Sequence, residues 1–320
     1  MTKVKEQARK RQKGLDAITK EILPTTIWKY DGHRIVPKRN NGAIELKNIE
    51  ALKPVTNMKV TGNYRERKEQ INKLKSKVDD RESIIKAVLQ DQNRLMAYKR
   101  STDILDEMTL EFLEHRVYES KEILKKKDKQ VQKQLDLVGH PIVSIANNVA
   151  GIGKMTIAYM LVYVDISKCN YAGNLWSYVG IVKPSYERYS KGESSGGCKP
   201  LRVALHRTAT SIIRMRGRTE MNKYIEVYDR EKLRLSKSRQ ITKSRNRKGE
   251  LKEMAWKDTM KSHRHGAAIR KVIKHICADW WFVHRTLEGL PTPEPYVMDY
   301  LGHKNWIRPE ERGWKIHPIK

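Results

Sequence analysis

Asn147–Val164, NNVAGIGKMTIAYMLVYV, sets a glycine, an isoleucine and a second glycine at the entrance to an apolar stretch. Phosphate loops, dinucleotide folds and DNA-gripping hairpins all use glycines in this way. A phosphate loop requires GxxxxGK[ST], but no glycine stands at the required distance before Gly153-Lys154. A dinucleotide fold requires GxGxxG after a strand, and position 156 is Thr. Both readings fail.

A helix-hairpin-helix fits. A short helix ends at Gly151-Ile152-Gly153, the glycines permit a tight turn, and backbone N–H groups meet a DNA phosphate where the second helix starts. Ile152 packs inward, Ala158 lets the helices approach, and Lys154 and Thr156 lie on the phosphate side. An ordinary glycine-containing turn between helices is the other reading that this stretch permits.

Charge favours the first. The 320 residues carry a net charge of +29, which drives association with polyanions through counterion release. No apolar run approaches the roughly 20 residues of a spanning helix, and MTKVKEQARKRQKG at the N-terminus has no signal-peptide core. The expected setting is cytoplasmic and nucleoid-associated, with DNA rather than a membrane as partner. Cys169, Cys198 and Cys277 are too widely spaced for a disulfide framework or a metal clip, so no metal site is expected.

The expected fold is mainly α. Residues 1–63 read as a basic arm broken by Pro24, Pro37 and Pro54, with a small β-hairpin turning at Asp31-Gly32. Residues 64–138 read as a coiled coil. Ile71, Leu74, Val78, Ile85, Val88 and Leu95 hold a and d spacing with Arg81 and Gln92 interrupting, and Leu110, Val117, Leu124, Val131 and Val138 repeat every seven residues. That pattern suits an antiparallel hairpin of helices or a homo-oligomer. Residues 139–230 form the helix-hairpin-helix domain, 231–252 a basic linker, and 253–320 a helical cap and tail.

Downstream of GIG, the order GIGKMTIAYMLVYVDISKCNYAGNLWSYVGIVKP and then SSGGCKPLRVALHRTATSIIR resembles the C-terminal domain of the bridge-RNA-guided DEDD-type insertion-sequence transposases. Their L-x-x-Y-x-G-L-x-P helix is matched by Leu175, Tyr178, Gly180, Ile181 and Pro184. Their G-N-x-x-L-R-x-x-L helix is approximated by Gly197, Cys198, Leu201, Arg202 and Leu205. The match spans about 75 residues from Ile145. It implies a coiled coil upstream, DNA transposition or recombination on branched or distorted DNA, a guide RNA, and a serine nucleophile. Family members also carry an RNase H-like domain whose acids bind divalent metal. Asp31, Glu45 and Glu50 do not supply one here, so metal chemistry would come through a separate RNase H-like partner and the chain itself takes no cofactor.

The nucleophile is Ser195 first, ahead of Gly196-Gly197, with Ser194, Ser190 and Ser185 as alternatives. Arg202 supplies charge to a phosphodiester and His206 a base. Lys191, Lys199, Arg207, Arg214 and Arg218 add DNA contacts. A flexible polar loop and a solvated helix face remain the plainer readings, and a non-catalytic architectural DNA- or RNA-binding protein the alternative function. In the cap, Ile269, Ile273, Ile276 and Trp280 fit a core, with Trp306 and Trp314 anchoring the tail. His263, Arg264, His265 and Arg270 are candidates to line a phosphate groove.

Overall fold

A computed structural model describes residues 31–34, 49–52, 54–101, 106–182, 196–217, 223–245, 250–293 and 307–315. The described chain is mainly helical, with two small antiparallel sheets of two strands each. It divides into two compact units, one of residues 70–164 and 177–275, the other of residues 1–69, 165–176 and 276–320.

In the first unit, α1 (Pro54–Arg100) from Gln70 onward pairs with α2 (Glu107–Asp136). Side-chain hydrogen bonds join Gln70 to Gln134 at 2.8 Å, Arg81 to Asp128 at 2.5 Å, Asp91 to Arg116 at 2.9 Å and Lys99 to Glu114 at 2.5 Å. Residue numbers rise on one helix as they fall on the other, so the two run antiparallel. Leu74, Val78 and Val88 on α1, Val117, Val131 and Leu135 on α2, and Val138 just after it are buried. Asp106 accepts from the Thr109 N–H at 3.0 Å and starts α2.

Arg81, which interrupts the apolar repeat, is buried. Its Nε donates to Asp128, and its Nη1 donates to the Tyr159 hydroxyl at 2.7 Å. That hydroxyl donates in turn to Glu82. Burial, reinforced by the Glu82 carboxylate, pushes the Tyr159 phenol well above its ordinary range. The network ties Tyr159 to the long helices, and this hydrogen bonding offsets the cost of burying the cation.

Gly139 adopts φ 63° and stops the chain after α2. Pro141 opens α3 (Pro141–Asn147), and the His140 Nδ1 accepts from Ile142 N–H. Next comes α4 (Lys154–Tyr163), with Thr156 to Leu161 all buried. A helix apolar on every side needs neighbours on every side, and α2, α3 and α6 (Lys199–Arg214) supply them. Against α6 lies α7 (Lys223–Lys237). The unit also holds the end of α5 (Ala172–Val179) and the first part of α8 (Lys261–Leu287).

Within the stretch 231–252, expected as a linker, the described residues include helix and strand. α7 runs on to Lys237, and β3 (Ile241–Arg245) then pairs antiparallel with β4 (Leu251–Ala255), Thr242 opposite Met254. The inward positions of β3 are Thr242 and Ser244, so the strand alternates hydroxyl with charge, and no apolar alternation marks it.

In the second unit β1 (Asp31–Arg34) pairs with β2 (Ile49–Leu52), Gly32 opposite Ala51. Asp31-Gly32 therefore lies within a strand and is not the turn expected of it. The helix expected to begin at residue 64 begins at Pro54, where a proline fits the first helical position. The core holds Ile276, Cys277, Trp280, Trp281 and Trp314. Trp281 Nε1 donates to the Cys169 carbonyl at 2.6 Å, and Arg285 Nη1 donates to the same oxygen at 2.8 Å. Trp314 meets the edge of Trp280, and Arg312 and Asp279, each under 5% exposed, form an ion pair at 2.7 Å. Trp280, Trp281 and Trp314 are thus core, and Trp306 lies outside the described residues.

Candidate nucleic-acid interface

The GIG turn runs from the end of α3 to the start of α4. Ile152 N–H bonds to the Val149 carbonyl at 3.0 Å, and the Ile152 side chain is buried. Gly151 has φ +88°, and a Cβ there would fall 2.4 Å from Cγ1 of Ile212 and 3.2 Å from its Cα. Only a glycine lets α6 come this close. Gly153 differs, since a Cβ on it would meet nothing within 4 Å. It is the N-cap of α4 and has no side chain to cap the first turn, so the helix-start N–H groups lack a side-chain acceptor.

Two residues expected on the phosphate side are engaged elsewhere. The Thr156 hydroxyl is buried and lies 2.6 Å from that of Thr208 on α6, so it faces inward and is withdrawn as a DNA contact. Its inward position follows from α4 being buried on every side from Thr156 to Leu161. Lys154 is partly exposed, but its Nζ bonds both oxygens of Asp136 at 2.7 and 2.8 Å, which neutralises it.

On α6, Leu201, Leu205, Thr208, Ala209 and Ile212 recur at helical spacing and are buried. The opposite face carries Lys199, His206, Arg207 and Arg214, all exposed, and no acid occurs between Lys199 and Arg214. Arg202 belongs to neither set. Its Nη1 points at the Gly180 carbonyl at 3.4 Å, making it a clamp on the turn after α5.

That turn is held tightly. Gly180 (φ +77°) and Gly197 (φ +74°) pack backbone to backbone, and a Cβ on Gly197 would lie 2.5 Å from the Tyr178 carbonyl and 2.8 Å from Gly180 N. Cys198 N–H donates to the Tyr178 carbonyl at 2.7 Å. The two stretches that carry the family resemblance thus meet at a glycine clasp. The Tyr-x-Gly and Gly-Gly signals were present in the sequence, but their pairing was not. Ser185, Ser190, Lys191, Ser194, Ser195 and Arg218 lie outside the described residues.

Beside α6, Arg216 pairs with Asp229 at 2.5 Å, and the α7 hydroxyl of Tyr228 lies 2.6 Å from His265 Nδ1 on α8. Burial, then Lys232 and His206, hold the His265 imidazole below its ordinary range. Arg264 donates to the carbonyls of Trp256 and Lys257. Among the described residues no helix is long and apolar enough to cross a membrane. Comparison of the chain with protein-family models, with curated proteins and with solved structures finds no match.

Proposed function

We propose that the protein binds DNA by its backbone in transposition or recombination, through a helix-hairpin-helix at the GIG turn and the outward face of α6. The observation that carries this reading is the acid-free row of Lys199, His206, Arg207 and Arg214 on a helix packed directly against Gly151. Three exposed cations and an imidazole on one face, in a chain of net charge +29, suit a polyanion. The uncapped start of α4 adds N–H donors of the kind that take phosphate oxygens. Lys154 joins them only when phosphate displaces Asp136.

In this reading α1 and α2 form a coiled-coil arm. Exposed Leu89, Met96, Met108 and Phe112 support self-association through it. The glycine clasp supports a role for the serines within 183–195, since it fixes the residues on both sides of that segment. Serine-dependent strand transfer, with a guide RNA and a separate RNase H-like protein, is the finer form of the proposal, and an architectural role without chemistry is its alternative.

The test is binding and covalent capture together. Labelled four-way-junction DNA, duplex DNA and an RNA hairpin are each mixed with the protein and read by anisotropy, then denatured and read for protein-linked label. Salt-sensitive binding of the junction is expected, and its absence contradicts the proposal. An adduct lost in Ser195→Ala establishes strand transfer; binding without an adduct, with partner protein and RNA supplied, leaves the architectural form.

A further inference from the structure

Sequence alone nominates His263, Arg264, His265 and Arg270 together, and the structure separates them. Arg264 is taken by backbone carbonyls and His265 by Tyr228. His263 and Arg270, seven residues apart and on one face of α8, are left. Arg270 is half-buried, and among the described residues its guanidinium has neither a hydrogen bond nor an ion pair. The Nε2 of His263 is buried and unpartnered. The other unpartnered buried side-chain atoms of this unit among the described residues are Thr242 Oγ1 and Ser244 Oγ on β3. Trp256 links these elements: its N–H donates to the Gln240 carbonyl ahead of β3, and its ring stacks on His263 with centroids 5.1 Å apart.

Nearly all buried donors in native proteins find an acceptor, and a cation partly withdrawn from water is stabilised by a neighbouring anion. Here one cation and one imidazole nitrogen lack partners on the same helix face, and between them Gly266 leaves open space where a Cβ would stand. Glu231, the carboxylate whose field reaches Lys271 and Lys274 on this helix, is already bound by Arg234 at 2.7 Å. What the face lacks is an anion with several acceptor oxygens.

We propose that the face of α8 carrying His263 and Arg270 is a binding site for a phosphate-type oxyanion, supplied by the backbone of bound nucleic acid. The guanidinium fork takes two oxygens, and His263 Nε2 donates to a third in the tautomer that carries its proton there. The nucleic-acid source rests on the reading above; the anion site does not.

The test uses the full chain in phosphate-free buffer, with inorganic phosphate added at constant ionic strength and melting followed by circular dichroism. Wild type is expected to gain melting temperature with phosphate, and Lys86→Gln, at an exposed lysine of α1, to gain equally. Arg270→Met, which removes an uncompensated charge, is expected to melt higher than wild type without phosphate and to gain nothing from it. Arg270→Lys keeps the charge without the fork and is expected to bind phosphate about tenfold more weakly. No phosphate response in wild type, or an equal one in Arg270→Met, overturns the site. Weaker binding of labelled junction DNA by Arg270→Met, with phosphate no longer competing, assigns the anion to nucleic acid. A phosphate response with junction affinity unchanged by Arg270→Met overturns that source. A phosphate response in a protein that binds no nucleic acid overturns the proposed function and leaves a site for free phosphate.

Discussion

Gly151 and Ile212 are in direct contact, so close that a Cβ on the glycine would lie 2.4 Å from Cγ1 of the isoleucine. The first glycine of the GIG turn is thus required by the packing of α6, while the second, Gly153, borders open space. The cation-bearing helix and the turn are thereby one structural piece, and the two glycines have different reasons to be there.

Replacing them separates those reasons. Gly151→Val is expected to destabilise the fold by about 2–4 kcal/mol, from overpacking and a left-handed backbone. Loss of DNA binding in that variant would say nothing about phosphate contact. Gly153→Ser, at an N-cap with φ −92° and ψ 162°, is expected to stabilise the protein by about 0.5–1 kcal/mol, by capping α4 and by restricting the unfolded chain. Chemical denaturation of both variants checks this.

Arg81 sits where a heptad calls for an apolar side chain, and it holds Asp128 and Tyr159 together. Arg81→Ala leaves both without their donor and a hole in the seam. A loss of about 2–4 kcal/mol is expected. A urea midpoint unchanged from wild type would show that the network carries no net stability.

Acid should weaken the fold before the carboxylates titrate. Burial, then Arg270, holds the His263 imidazole low, and burial, then Lys232 and His206, does the same for His265. The unfolded chain therefore takes up protons that the folded chain refuses. Their contribution to stability is complete above about pH 6.5 and is lost as pH falls below it. Melting temperature is expected to drop between about pH 7 and 5, and His263→Gln with His265→Gln to flatten the drop. An equal slope in wild type and double variant would contradict the assignment.

Local periodicity made much of this chain legible. The repeat through Leu74, Val78 and Val88 and its counterpart through Val117, Val131 and Val138 are buried, and the GIG turn lies between two helices with Ile152 inward. Contacts between distant residues were not legible. Thr156 reads as a polar residue near a phosphate until Thr208, 52 residues on, claims its hydroxyl. Asp31-Gly32 reads as a turn because an Asp-Gly pair within an alternating stretch is a two-residue hairpin signal, and nothing local shows that residues 31–34 pair with Ile49–Leu52 instead. The β3–β4 hairpin reads as a linker because its inward residues are Thr242 and Ser244 and not valines. In the candidate site, the exposed cations of α6 follow from helical spacing, but the engagement of Lys154 by Asp136 and the isolation of Arg270 depend on three-dimensional neighbours.

The central claim, that the outward face of α6 grips a nucleic-acid backbone, is tested most directly by the salt dependence of binding. Junction-DNA affinity is measured by anisotropy across a salt series for wild type and for Arg207→Gln with Arg214→Gln. For wild type, log K should fall linearly with log salt, and the double variant should bind more weakly with a slope shallower by about 2, one for each lost phosphate contact. Identical slopes and affinities in a folded double variant would contradict the account.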